Sequence, residues 1–346
     1  MDAATLQLDY VSSGDLSGQS ASWWDSVLGV VGFERAPRID LSQVPVTASM
    51  TPWLGGAEDL CEVWRVAGGQ DIELSTGLLE RGRVHYRYCD ELLFGSVTIE
   101  EQGFDGNASA ALLSATMAAY QDIFAVLKET RHRHLLRVWN YLPEINREAD
   151  GDERYRHFNS ARQSAFRSSG RSTVGSVPAA SALGSPAGSP ISIYFLASLE
   201  PPQMIENPRQ ISAYHYPPKF GKHSPIFSRA CVLSESAGTN LFVSGTASIV
   251  GHETLHHGDV TAQTRETLAN IEALLGEANR IVGAGRYALD ELKFKVYVRQ
   301  PSDLGAIEDA LFATLPATAS IVYLQADVCR EDLLVEIEAT GDSPRN

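Results

Sequence analysis

The chain has 346 residues, 44 % of them hydrophobic, and its 43 acidic against 28 basic side chains give a formal net charge of −15. That length exceeds one small core and suits two domains with a leader segment. The acidic balance disfavours nucleic acid or an anionic membrane as a partner, because both are bound through cationic surfaces. Residues 1–90 hold short strand-like pieces broken by Gly and Pro, among them SWWDSVLGVVGF and LCEVWRVAG, and suggest no function of their own; they are taken as a leader belonging to the first domain. Residues 91–200 then follow a regular order: LLFGSVTIEE as strand, ALLSATMAAYQDIFAVLKET as helix, HLLRVWNYLPEI as strand, ERYRHFNSARQSAF as helix and SPISIYFLASLE as strand. Leu113, Met117, Tyr120, Phe124 and Leu127 recur near the helical period, which gives the first helix one apolar face. Within this unit, Ser168 to Pro190 is rich in Ser, Gly, Ala and Pro and has the composition of a linker, with a functional loop as the rival reading. Residues 201–240 connect the two halves. Their stretch NPRQISAYHYPPKFGKHSPIFSRA is too long to be an idle connection inside a compact protein.

The order repeats over residues 241–346: LFVSGTASIVG, the helical TAQTRETLANIEALLGEAN with Thr264, Leu268, Ile271 and Leu275 on one face, LKFKVYV, the helical LGAIEDALFATL and the terminal strands ASIVYLQ and LLVEIEA. The strand runs are short, β-branched or aromatic, and bounded by polar turn residues. Two β-α-β-α-β units make an α/β protein. A sheet covered by helices on one face must bury its other face against something else, and a site is expected there.

The opening MDAATLQLDYVSSGD carries neither the basic nor the apolar region of a secretory signal, and no run approaches bilayer-spanning length, so a cytoplasmic protein is expected. Cys61, Cys89, Cys231 and Cys329 lack a C-x-x-C spacing, which argues against a disulfide framework and a zinc ribbon and for free thiols. His252-Glu253-Thr254-Leu255-His256 matches the H-E-x-x-H zinc signature, which needs a helix to put both histidines on one face. Gly251 before it and His257-Gly258-Asp259 after it mark instead a loop leading into a helix, with Asp259 near the positive end of that helix. No metal is expected. Nine arginines (Arg131, Arg133, Arg137, Arg147, Arg154, Arg156, Arg162, Arg167 and Arg171) crowd about forty residues of the first unit. Most suit a solvated helix face; two or three could grip a carboxylate through paired hydrogen bonds.

NPRQISAYHYPP with SPIFSRA, RYRHFNSARQSAF and VCREDLLVEIEA together resemble the chorismatases, from about Leu92 to the end of the chain. The second unit alone is similar to the reactive intermediate deaminase (RidA) family, a likeness that carries fold more than function. It departs where that family's carboxylate-holding arginine should stand, just before the penultimate strand, because Ala319-Ser320-Ile321 stands there instead. The resemblance implies two RidA-like units packed as a pseudo-oligomer. It also implies an enzyme, with neither metal nor organic cofactor, that cleaves the enolpyruvyl ether of chorismate to pyruvate and a hydroxybenzoate, 3-hydroxybenzoate or a mixture with 4-hydroxybenzoate. The partner is then the small-molecule substrate, and the chain acts as a monomer or homo-oligomer. The essential glutamate of the family falls on Glu336, and the cysteine of its aromatising branch falls on Cys329. An imine deaminase and a non-catalytic binder of aromatic acids are the alternatives, and neither needs the thiol.

The residues themselves suit this chemistry. A dianionic substrate in an acidic protein needs local Arg, Tyr and Ser donors, for which Arg162, Tyr214, Tyr216, Arg229 and Arg299 are candidates. Enol-ether cleavage needs a proton delivered to the methylene carbon, a task for a carboxyl group of raised pKa. In the last strand Leu333, Val335 and Ile337 alternate with Leu334, Glu336 and Glu338, so the glutamates point away from the helices. Taken alone, Glu336 is an exposed strand residue and Cys329 a small buried hydrophobe. Beside Arg330 the Cys329 thiolate would be favoured.

Overall fold

Two sheets of one topology carry the chain. The computed structural model describes residues 5–38, 44–55, 59–67, 73–79, 83–234, 238–283 and 285–344. In the second sheet the strands run Ser320–Gln325, Lys293–Val298, Val335–Pro344, Gly238–Thr246, Ala230–Ser234 and Gln203–Ile205 from one edge to the other. The first sheet repeats this as Ala179–Ser185, His134–Pro143, Ile191–Ser198, Leu92–Ile99, Val84–Tyr88 and Ser75–Leu78. In both, the outermost of these pairs is parallel and the next two pairings are antiparallel. The match gives every strand of the second sheet and both of its covering helices a counterpart in the first unit, and it overturns one reading of the sequence. The Ser168 to Pro190 stretch is no linker: its Ala179–Ser185 is a buried strand, the counterpart of Ser320–Gln325.

The helices form where the periodicity places them. Ala108–Glu129 starts at Asn107, whose side chain accepts from the Ala110 N–H, and Val260–Val282 starts at Asp259, which accepts from the Ala262 N–H. Val260–Val282 ends at Gly283, where φ is +112°, a conformation that favours glycine. Ala108–Glu129 is long and apolar enough to cross a bilayer, contrary to the expectation from the sequence, but most of its apolar stretch is buried under the first sheet. Helices Ala108–Glu129 and Arg154–Ser168 cover one face of the first sheet, and Val260–Val282 and Leu304–Phe312 cover one face of the second.

The uncovered faces meet each other and a third, four-stranded sheet built by Thr5–Ser12, Leu60–Ala67, Val27–Gly32 and Val46–Ala48. Residues 1–90 thus supply both this sheet and two strands that extend the first unit. Trp64, Trp139, Tyr194, Phe94, Phe242 and Tyr297 fill the junction. Inside it lies a buried charged network: Lys295 Nζ pairs with Glu62 and with Glu338 Oε1 at 2.9 Å, and Arg137 Nη2 with Glu338 Oε2 at 2.6 Å. Trp139 Nε1 donates to Glu338 Oε1 and Trp64 Nε1 to Glu62 Oε1, each at 2.6 Å. Two cations face two carboxylates whose lone pairs are used by neighbouring donors, the condition under which ions survive away from water.

Candidate active site

The strand Gly238–Thr246 of the second unit carries an irregularity opposite the last strand: Val243 pairs with Ala339 and Thr246 with Ile337, so Ser244 and Gly245 together oppose Glu338. Such a bulge re-aims side chains locally. Here it brings the Gly245 backbone over Glu336, so closely that a Cβ at position 245 would lie 1.9 Å from Glu336 Oε1. Ser181, on the Ala179–Ser185 strand of the first unit, joins the two halves: its Oγ donates to Glu338 Oε2 at 2.8 Å and accepts from the Gly245 N–H at 3.1 Å.

Val335 and Ile337 pack under the helices, whereas Glu336, 4 % exposed, faces a cavity of about 530 Å³ between the units. Burial pushes the Glu336 carboxyl up to about 8, helped by the negative charge of Glu338 two residues on and opposed by Arg137, Arg229 and Arg299. Burial would raise Glu338 as well, but Lys295 and Arg137 overcome it and hold that carboxyl below its ordinary value. Two carboxyls of one strand are thus driven apart, one ionised and one protonated near neutrality.

Cys329 shares the cavity with Glu336. It follows Asp327–Val328, which pairs antiparallel with Leu183 and Gly184 and so stitches a loop of the second unit to the first sheet. Arg299 locks that loop. Its Nε donates to Leu333 O, Nη2 to the Val328 and Arg330 carbonyls, and Nη1 to Asp327 Oδ1 and Asn146 Oδ1. The expected thiolate does not follow from Arg330: burial pushes the Cys329 thiol up to about 12 and the Glu336 carboxylate would add to that, which outweighs Arg330 and Arg299.

The remaining expected residues divide. Tyr216 and Arg229 line the cavity, joined by Arg229 Nη2 donating to Tyr216 Oη at 2.6 Å. Arg162 lines a narrow inner recess that also contains Glu336, Cys329 and Gly245. It is 3 % exposed, stacked on Tyr120 and Phe166, and donates from Nη1 to Ile226 O at 2.6 Å. Arg299 lies outside the cavity lining, its donors committed to the loop. Tyr214 also lies outside it, packed against the core of the first unit and against His215. Of the other clustered arginines, Arg154 is buried on Glu101, and Arg156 sits at the cavity wall paired with Asp152. His252, Glu253 and His256 fall on a β-hairpin and the turn after it, as the flanking residues suggested: Glu253 pairs with Lys219, His256 with Glu266. The histidines therefore share no helix face.

The sequence reading missed Gly245, Tyr155 and Arg330. Tyr155 lines both chambers, and burial raises its phenol well above the ordinary value. Arg330 was weighed only as a neighbour of Cys329, although its place in VCRED put it on the same loop.

A protonated carboxyl, a neutral thiol and several guanidiniums around one cavity define an acid–base site for a small anion. The comparisons with known proteins agree. A family model described as "Chorismatase FkbO/Hyg5-like, N-terminal" matches residues 62–197. The chain is 37 % identical over 325 residues to a 3-hydroxybenzoate synthase of Streptomyces hygroscopicus, covering 90 % of this chain and 91 % of that one. It is 36 % identical to a chorismatase of the same organism, over 97 % and 94 % of the two chains. A chorismatase crystal structure at 1.08 Å superposes over 99 % of both chains with a TM-score of 0.83 and 31 % identity. The chain belongs to the chorismatase family.

Proposed function

We propose that this chorismatase cleaves the enolpyruvyl ether of chorismate to pyruvate and a hydroxybenzoate, mainly the 3-hydroxy isomer, with Glu336 as the acid. The observation that carries the assignment is a carboxyl group, buried and held neutral up to about pH 8, at the point where the wide cavity and the inner recess meet. Glu336 gives its proton to the methylene carbon of the enol ether, and positive charge develops on the ether carbon. The carboxylate left behind stabilises that charge. The bond between the ether oxygen and the ring breaks and pyruvate leaves; the neighbouring ring hydroxyl bonds to the vacated carbon and gives its proton to the carboxylate. The same group returns that proton to the bridging oxygen as its bond to the original carbon opens, then takes the hydrogen from the carbon that now holds the oxygen, which makes the ring aromatic as the 3-hydroxy isomer and restores the starting state. The atoms of chorismate then divide between the two products with nothing added.

Arg162 in the recess and Arg229 with Tyr216 in the wide chamber hold the substrate carboxylates. Each arginine is oriented by protein contacts and keeps at least one buried nitrogen without a hydrogen-bond partner among the described residues: Nε and Nη2 of Arg162, and Nε of Arg229. Cys329 steers which product forms, and it acts as a thiol rather than a thiolate. The 3-hydroxybenzoate synthase of Streptomyces hygroscopicus favours that product by its name. Free thiols at Cys61, Cys231 and Cys329 suit the reducing cytoplasm. The test is incubation with chorismate followed by chromatography: equal amounts of pyruvate and 3-hydroxybenzoate are expected, and unconsumed chorismate would end the reading.

A further inference from the structure

Buried donors without an acceptor are uncommon in folded proteins, and each needs a reason. Among the described residues, four arginines carry such nitrogens: Arg87, Arg162, Arg229 and Arg330. Three of the four line the two chambers of this site. Arg162 and Arg229 already have a role in the proposed reaction; Arg330 has none.

Its guanidinium is fixed on three sides. Nη1 donates to the His252 carbonyl at 2.9 Å and lies 3.3 Å from Thr254 Oγ1, which ties it to the Ile249–Thr254 hairpin. Its flat face lies 4.0 Å from the centre of the Phe220 ring and 5.2 Å from that of Tyr216. Nη2 is buried and without a partner among the described residues. Of the acidic groups on the same wall, Asp152 and Glu153 pair with Arg156 and Asp332 is engaged by Thr254 and His257, and none of the wall's carboxylates, Glu148 and Glu331 included, forms an ion pair with Arg330 among the described residues. The cation is therefore oriented, partly desolvated and not neutralised by a carboxylate of its own. It borders the wide chamber and, unlike Arg162, not the inner recess.

We propose that Arg330 is a substrate-binding residue that takes one of the two carboxylates of chorismate, at the opposite end of the site from Arg162. The proposal rests on the chorismate reading above and adds a division of labour to it. Arg229, stacked with Arg330 on the same Tyr216 ring, belongs to the outer end, and the two rings under Arg330 hold its donors in the plane of the carboxylate.

The experiment is equilibrium binding, which does not depend on turnover. Three probes are titrated into the wild type and into R330Q, R330K and R162Q: 3-(carboxymethoxy)benzoate, which has both carboxylates, and its halves 3-methoxybenzoate and phenoxyacetate, which have one each. R330Q is expected to weaken the dicarboxylate at least tenfold, to weaken one half likewise, and to leave the other within twofold. R162Q should show the reverse pattern for the halves. R330K, which keeps a cation but not the fork, should show the R330Q pattern with a smaller loss and serves if R330Q does not fold. Equal losses on all three probes would mean a loosened hairpin, and no loss on any would mean a bystander; either result overturns the proposal. A wild type that binds the dicarboxylate but leaves chorismate intact would refute the reaction and leave the role of Arg330 standing.

Discussion

Glu336→Gln separates the acid from its shape, since the amide keeps the volume and planarity but has no titratable proton. In the folded protein the Glu336 carboxyl moves from its ordinary 4.5 up to about 8, chiefly through burial. An upward move of that size corresponds to roughly 5 kcal/mol at full extent, at about 1.4 kcal/mol for each pH unit. The sign follows from proton counting. Between these two values the folded state keeps a proton that the unfolded chain releases, so stability declines as pH rises from about 4.5 through about 8. Glutamine does not titrate, so the variant lacks this slope. Urea denaturation of both proteins at pH 6, 7, 8 and 9 should show the stability of the wild type relative to the variant falling by about 2 to 3 kcal/mol from pH 6 to pH 9. Pyruvate release by the folded variant should drop on the order of a thousandfold, and the rate of the wild type should fall above about pH 8. Parallel stability profiles would show that Glu336 is not held neutral by the fold, and near wild-type turnover in the variant would remove it from the reaction.

Other perturbations probe the surroundings. Gly245→Ala places a methyl group 1.9 Å from Glu336 Oε1, so the carboxyl must move; kcat should fall ten- to a hundredfold as a displaced catalytic group requires, and an unchanged kcat would mean that the carboxyl position is uncritical. Cys329→Ala should still consume chorismate while yielding less 3-hydroxybenzoate and more 4-hydroxybenzoate or diene diol, as chromatography would show. An unchanged product ratio in a merely less stable protein would refute the role of the thiol. Because that thiol is raised to about 12, its alkylation by iodoacetamide at pH 8 should be far slower than that of a free cysteine. Glu338→Gln removes the charge that raises Glu336 and leaves Lys295 and Arg137 in excess, so the high-pH decline of the rate should move to lower pH. Lys295→Met leaves Glu62 and Glu338 facing each other without their shared cation; a loss of about 3 to 5 kcal/mol in urea unfolding is expected.

Period carried the sequence reading where side chains obey period. The alternation of Val335 and Ile337 with Glu336 and Glu338 placed the two glutamates opposite the helices, and Tyr120, Phe124 and Leu127, like Leu268, Ile271 and Leu275, lie on the buried faces of their helices. What stayed hidden lacked that signature. Ala179–Ser185 contains no β-branched residue, and at Gly184 there is no room for one: a Cβ there would come within 2.6 Å of the Asp327 Cβ. Small side chains therefore give a buried strand near the sheet edge the composition of a linker. The internal repeat held the missing information, since a unit matching the second one required a strand between the second helix and SPISIYFLASLE. Arg299 misled for the opposite reason. Its position after a strand suits a ligand clamp, but in the fold its donors are spent on the loop that carries Cys329.

Residues 1–90, which suggested no function, reach the chemistry through charge. Glu62 belongs to the four-stranded N-terminal sheet, Lys295 to the second unit, Arg137 to the first, and Glu338 to the strand that carries Glu336. With Glu336 neutral, the buried set of two cations and two anions balances. Ionising Glu336 would put a third carboxylate beside Glu338 in a medium that screens poorly, and burial together with that repulsion is what lifts it. Glu62 matters because it shares Lys295 with Glu338. Without it Lys295 and Arg137 would face Glu338 alone, with an excess of positive charge beside the strand of Glu336. The N-terminal sheet thus supplies one of the two buried anions that balance this network, without lining the cavity.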